Sequence, residues 1–303
     1  MRRGAWRLRR LSPKQRGLIA AITVLIVAWL LAIAANGLAH YMGWGVDRMA
    51  PAALSAKLAP FYRVSTPEGA GPFPTALLFS GCDGPKDNLD RWAAALNADG
   101  WAAVIVDSHT PRGLGDHEIW RLICAGQIFM GSERAGDVLV SIDDVRRMPF
   151  VDPGRLALIG ASHGGWAIMD LLALDPPSRL PFNLTGLPED APADPLAGVV
   201  GTVLLYPYCG AANRARPDGW RRPLPTLFLL AQDDMIASEE SCISIAEAMR
   251  DRDQPVAWRV FDGVTHGFDQ ESRAPLSTLA FDEAATAAAL SEGIAFLDAQ
   301  GGG

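Results

Sequence analysis

Six short apolar runs alternate with longer stretches of helical pattern, and this alternation constrains the fold more than any other feature of the chain. The runs are Thr75–Ser80, Ala102–Asp107, Leu156–Ala161, Val199–Tyr206, Thr226–Ala231 and Val256–Phe261. Their cores are mostly continuous apolar stretches rather than alternating ones, which predicts strands buried on both faces. Such strands belong to a mostly parallel sheet covered by helices. Helical patterns are expected over about 87–99, 117–147, 163–174, 239–251 and 279–299. The class is therefore open α/β, and its sites form beyond the carboxyl ends of the strands.

Ahead of this body lies a segment of different character. No charged residue occurs between Arg16 and Asp47, and residues 17–35 are almost entirely apolar. At about 1.5 Å per residue this run is long enough to cross a hydrocarbon layer of about 30 Å. It reads as one N-terminal transmembrane helix over residues 17–38; a cleaved secretory signal ending near Ala32, Ala34 and Ala35 is the alternative. Residues 1–16 carry seven basic side chains and no acid, which predicts a cytoplasmic tail with the body periplasmic or extracellular. Tyr41 and Trp44 suit the membrane–water interface. Residues 39–72 read as a connecting segment and residues 73–300 as the folded domain.

The net charge of −7 leaves the chain after residue 16 at −14. An acidic body of this kind is not a nucleic-acid binder, because phosphate contacts need a basic surface. The four cysteines have no C-x-x-C spacing and no accompanying histidine cluster, so no metal site is expected. In an oxidising compartment a Cys209–Cys242 bridge is expected, because Cys209 follows one strand and Cys242 opens the helix after the next.

The chemistry concentrates around Gly160-Ala161-Ser162-His163-Gly164, which reads G-x-S-x-G. It directly follows a predicted strand and opens a predicted helix. A serine on such a turn is held with its hydroxyl exposed, near the positive end of the helix. Ser162 is therefore the candidate nucleophile. Of five histidines, His40 borders the apolar segment, His163 adjoins the serine, and His109 and His117 precede it in the chain. His266 follows the last strand and comes last in the order serine, acid, histidine, so it is the expected base. The acid should follow Thr226–Ala231. Asp233 sits closer to the strand and is the expected partner, with Asp234 and Asp262 as alternatives. Backbone N–H groups of Cys82, in the loop after the first central strand, and of His163 are the expected oxyanion donors. Arg112 is a candidate for a substrate carboxylate or for a structural ion pair, for instance with Asp107. The stretches 175–195 and 210–225 either shape an entrance or are surface loops.

The motifs FSGCDG, VDSHTPRG, GASHGGW, LLYPYC, LLAQDD and GVTHGF, in that order over residues 73–270, resemble the dienelactone hydrolase family of α/β-hydrolases. The resemblance implies an α/β-hydrolase fold and Ser162, Asp233 and His266 as a catalytic triad. It implies hydrolysis of a small-molecule carboxylic ester or lactone without a cofactor. Two departures stand out: serine occupies the position where dienelactone hydrolase itself has cysteine, and Ser80 stands where related hydrolases often have histidine. A thioesterase, acyltransferase or peptidase would use the same constellation, and a non-catalytic tethered binding protein is the rival from another class.

Overall fold

The computed structural model describes residues 12–273 and 277–301; Arg2, Arg3, Arg7, Arg9 and Arg10 of the basic tail lie outside the described residues. Seven strands form one sheet: β1 (Tyr62–Ser65), β2 (Phe73–Phe79), β3 (Ala102–Val106), β4 (Val151–Ala161), β5 (Val199–Leu205), β6 (Thr226–Ala231) and β7 (Val256–Phe261). Their order is β1-β3-β2-β4-β5-β6-β7, and every pair is parallel except β1 with β3. All six apolar runs are strands of this sheet, but β7 forms its second edge and is half exposed, not buried on both faces as expected. The two-residue period sends neighbours to opposite faces. In β2, Leu77 and Phe79 enter one core while Ala76 and Leu78 enter the other.

Each face is covered by helices. The Leu77 side packs against α2 (Pro51–Leu58), α5 (Gly131–Arg146), α6 (His163–Leu174) and α7 (Glu239–Arg250). The Leu78 side packs against α3 (Asp87–Ala98) and α8 (Glu283–Gly301), with Trp92 and Leu297 fully buried between them.

Two stretches depart from expectation. Residues 39–72 are not a simple connector: Leu54 and Leu58 of α2 are fully buried in the core, and β1 closes one edge of the sheet. The four-residue β1 is half exposed as an edge strand, so it carried no apolar run to mark it. The helical pattern over 117–147 is broken in two. A short turn α4 (Asp116–Glu118) runs into a π-helical turn, Ile119–Cys124, and the chain then loops before α5 begins.

The apolar segment forms α1 (Pro13–Tyr41), 29 residues with none buried. Ser12 and Gln15 form a reciprocal capping box at its start. It is long and apolar enough to cross a membrane, as a membrane anchor or a signal sequence would be.

Helix α6 contains an aspartate whose ionised form its surroundings disfavour. Asp170 is fully buried; Oδ1 accepts from the Arg214 backbone N–H at 2.7 Å, and burial pushes the carboxyl up to about 7. Between its ordinary value near 4 and about 7, the folded state holds a proton that the unfolded state has lost. Stability at this site therefore falls as pH rises through that window, by about 1.4 kcal/mol per pH unit. Asp170→Asn removes this term while keeping an oxygen acceptor. The full-length variant in detergent should lose less unfolding temperature between pH 5 and pH 8 than the wild type; equal losses would show that Asp170 carries no such penalty.

Candidate active site

The site is assembled at the carboxyl ends of β2, β4, β6 and β7. Ser162 follows β4 directly and adopts φ 49° and ψ −110°, a conformation that L-residues avoid. Three main-chain bonds hold it there. Its N–H donates to the Leu205 carbonyl at 2.8 Å, and its own carbonyl accepts from Trp166 at 3.0 Å and Tyr208 at 3.3 Å. The motif glycines are required by close approach. A Cβ on Gly164 would lie 2.3 Å from the Phe79 carbonyl oxygen, and one on Gly160 would lie 2.6 Å from the Gly165 nitrogen.

The turn aims the hydroxyl at a histidine. Ser162 Oγ lies 2.9 Å from His266 Nε2, and His266 Nδ1 lies 2.6 Å from Asp234 Oδ2. Both side chains are largely buried, at 8% and 2% exposure. The other Asp234 oxygen accepts from the backbone N–H groups of Ile236 and Ala237, each at 2.8 Å. Burial alone would raise the Asp234 carboxyl. The hydrogen bond and charge of His266, with those two amides, outweigh it and hold the carboxyl below its ordinary value. The carboxylate is thus ionised and points at Nδ1, which leaves Nε2 free to accept the serine proton.

The expected acid therefore requires correction. Asp233 is exposed, and its backbone N–H donates to the Val264 carbonyl at 3.0 Å. That bond ties the end of β6 to the loop carrying His266. Of the two neighbours, the following residue then turns its side chain inward to the ring.

The floor beneath His266 is a buried polar network. The Tyr206 ring packs against the imidazole with centroids 4.8 Å apart, and its hydroxyl donates to Asp269. Asp269 also accepts from Trp92 at 3.0 Å and Asn88 at 3.4 Å. These groups settle the rotamers beneath the base.

Two cavities meet at Ser162. A smaller one of about 120 Å³ is lined by Trp120, Tyr206, His266 and Gln270. A larger one of about 380 Å³ runs past Ile123, Ala125, Met130 and Trp166. Cys82, Cys124 and Ile236 belong to both walls. The two expected oxyanion donors, Cys82 and His163, share the larger wall with Ser162. Of the two loops considered as an entrance, 210–225 contributes Ala212 to the larger cavity, whereas 175–195 reaches neither. It packs by Leu184 against Met49 instead.

Three further features surround the site, of which only the ion-pairing of Arg112 was anticipated, with another partner. A Cys82–Cys124 disulfide accompanies the expected Cys209–Cys242 one, and it fastens the loop after β2 to the π-helical turn. Cys124 ends the π-helical turn where a continuous helix was expected, so this pairing was not legible. Arg112 meets neither a substrate-facing surface nor Asp107. It forks onto the buried Asp137 at 2.9 and 3.1 Å, donates to the Ser108 carbonyl at 2.5 Å, and lies 3.7 Å over the Phe129 ring. Asp107 instead accepts from the amides of His109 and Thr110. Arg112 is therefore the structural ion pair and not a carboxylate receptor.

The third feature is Arg134, fully buried on α5. It donates to the Ser80 carbonyl at 2.8 Å, Ser80 Oγ at 3.1 Å and His163 Nδ1 at 2.9 Å. A guanidinium only donates, so His163 Nδ1 must accept, and the Nε2–H donates to the Phe129 carbonyl at 2.8 Å. Burial and the Arg134 charge hold the His163 pKa well below the usual value, which keeps the ring neutral for this role. One side chain thereby clamps the loop after β2 to the first residue of α6. The sequence carries no mark that singles it out, because Glu133 and Asp137 flank it in the same stretch, and only the packing shows Arg134 fully buried. Among the described residues no three His, Cys, Asp or Glu side chains converge as metal ligands.

Comparison with known proteins agrees with this architecture. Residues 193–300 match the model of the dienelactone hydrolase family. Among solved structures, a dienelactone hydrolase-type protein from Klebsiella pneumoniae superposes with TM-score 0.59 at 14% identity, covering 78% of this chain and 91% of that one. Esterase 2 from the planctomycete Thermogutta terrifontis superposes with TM-score 0.58 at 16% identity, covering 78% and 86%. Among curated sequences, the acylamino-acid-releasing enzyme of Arabidopsis thaliana is 22% identical over 205 residues, 60% of this chain and 26% of that protein. Dipeptidyl-peptidase 5 of Porphyromonas gingivalis is 28% identical over 102 residues, 32% of this chain and 14% of that protein. The chain thus spans about a quarter or less of the length of these two curated relatives.

Proposed function

We propose that this chain, of α/β-hydrolase fold and matched to the dienelactone hydrolase family over residues 193–300, is a serine carboxylic ester hydrolase. One observation carries the reading: the continuous hydrogen-bonded line from Ser162 Oγ through His266 to Asp234, at 2.9 and 2.6 Å. In this mechanism His266 takes the Ser162 proton as the oxygen attacks the ester carbonyl. Asp234 stabilises the imidazolium and fixes its orientation. The oxyanion is received by the N–H groups of Cys82 and His163, the latter at the positive end of α6. The alkoxide leaves with the proton from His266, and water then releases the acid from the acyl-enzyme. Ser162, His266 and Asp234 carry out these steps without a cofactor. The neighbours named as esterases, including one recorded as phosphoramylated by tabun, favour an ester. The curated relatives' names favour the cleavage of acylamino or dipeptidyl groups by the same attack.

We also infer that α1 is a retained anchor, with the tail cytoplasmic and the body periplasmic or extracellular. Basic residues stay on the cytoplasmic side, and the two disulfides suit an oxidising compartment.

The test is turnover of short p-nitrophenyl esters, with peptidyl p-nitroanilides beside them. Ester hydrolysis that disappears in Ser162→Ala is expected, and faster anilide cleavage would make the chain a peptidase. A folded wild type that turns over neither would overturn the hydrolase reading.

A further inference from the structure

The larger cavity at Ser162 and the end of α1 share one loop. The apolar run ends at Ala35, and the next residue, Asn36, donates from Nδ2 to the Gln127 carbonyl at 2.7 Å. One residue further, the position of a Cβ on Gly37 lies 3.4 Å from the Gly126 carbonyl oxygen. The neighbouring residues Ala125, Gly126 and Met130 form part of the cavity wall that reaches Ser162.

The junction is fixed rather than a free tether. Arg214 lies over the Tyr41 and Phe182 rings, at 4.0 and 5.0 Å from their centroids. His40 Nδ1 is 3.8 Å from Glu133, and the Met49 N–H donates to the Asn183 carbonyl at 2.9 Å. A helix that spans the membrane with residues 17–35 therefore sets the 125–127 loop at the headgroup level, because one residue advances a helix by only about 1.5 Å. Large apolar side chains are also exposed beside the two cavities that meet at Ser162. Trp120 and Ile236, both on cavity walls, are 45% and 55% exposed, and Met235 beside them is 98% exposed. In water these would be costly; against a bilayer interface they are favourable.

We propose that the substrate is a long-chain carboxylic ester residing in the membrane, whose acyl chain enters the larger cavity past the 125–130 loop. This rests on the hydrolase and anchor readings above. The Ser162 oxygen bonds to the acyl carbon as the ester C–O bond breaks. The serine proton passes through His266 to the departing alcohol, and water then frees the fatty acid and restores the serine.

The experiment uses the full-length protein in phosphatidylcholine vesicles with p-nitrophenyl butyrate and p-nitrophenyl palmitate. The expected palmitate kcat/KM exceeds that for butyrate at least tenfold. Ala125→Trp, which narrows the cavity beside α1, should lower the palmitate-to-butyrate ratio at least tenfold. Butyrate turnover that depends on Ser162 and outpaces palmitate in the wild type overturns the membrane-substrate inference, whether or not the variant folds. A ratio unmoved in a variant still labelled by a fluorophosphonate overturns it too. Loss of both activities in the wild type refutes the hydrolase reading instead, and recovery of a chain lacking residues before about 36 refutes the anchor.

Discussion

Asp234→Asn should lower kcat on a short ester by about 10⁴-fold, while Asp233→Asn should stay within about twofold of the wild type. The first figure is the cost of holding a catalytic imidazole in the wrong tautomer with its geometry otherwise intact. Asp234 accepts from His266 at 2.6 Å and is nearly inaccessible, so no water replaces its charge. An amide there can offer its NH₂ to Nδ1, which forces the proton onto Nε2 and blocks uptake of the serine proton. Asp233 uses its backbone N–H structurally and leaves its carboxylate in solvent, so the amide costs little. Steady-state kinetics on the two purified variants decide the matter, and the reverse order would return the acid to Asp233.

The same pair of residues marks where sequence reasoning stops. The serine was legible because local geometry defines it: a strand, a turn crowded enough to demand glycine, then a helix. His266 was legible because few histidines follow the last strands. The choice between adjacent aspartates was not, because rotating a turn by one residue reverses which side chain faces inward. That rotation is set by the bond from Asp233 N–H to Val264, a contact between segments about thirty residues apart. The five interior strands and the edge strand β7 were readable from their apolar runs, whereas the four-residue edge strand β1, half in solvent, left no comparable trace. Arg112 was ambiguous for a related reason. Its partner Asp137 sits on a distant helix, and only the packing reveals that the charge is consumed internally.

Arg134→Met should cost both stability and turnover. Methionine fills much of the volume but donates nothing. The Ser80 carbonyl, the Ser80 hydroxyl and His163 Nδ1 each lose a donor in a region without water access. Each stranded group costs about 1–3 kcal/mol, so a loss of about 3 kcal/mol or more is expected. For a body of this size that is a fall of about 6–12 °C in unfolding temperature. The surviving folded enzyme should have kcat lower by about 10²-fold, the lower end of what losing one oxyanion donor costs, because the clamp between the Cys82 loop and His163 is gone. KM should change little, since Arg134 is buried away from both cavity walls. Arg134→Lys can reach one carbonyl but cannot fork, so partial recovery of kcat is expected. A variant that unfolds earlier yet keeps full kcat would make Arg134 a packing residue with no hold on the oxyanion site.

The central assignment, Ser162 as an activated nucleophile, is tested most directly by treating the full-length protein with a fluorophosphonate and mapping the adduct by peptide mass spectrometry. A single phosphonyl group on the peptide containing Ser162 is expected. It should be absent in Ser162→Ala and formed far more slowly in His266→Ala. A folded protein that takes up no phosphonyl group, or one whose Ser162→Ala variant is labelled elsewhere and still cleaves esters, would contradict it.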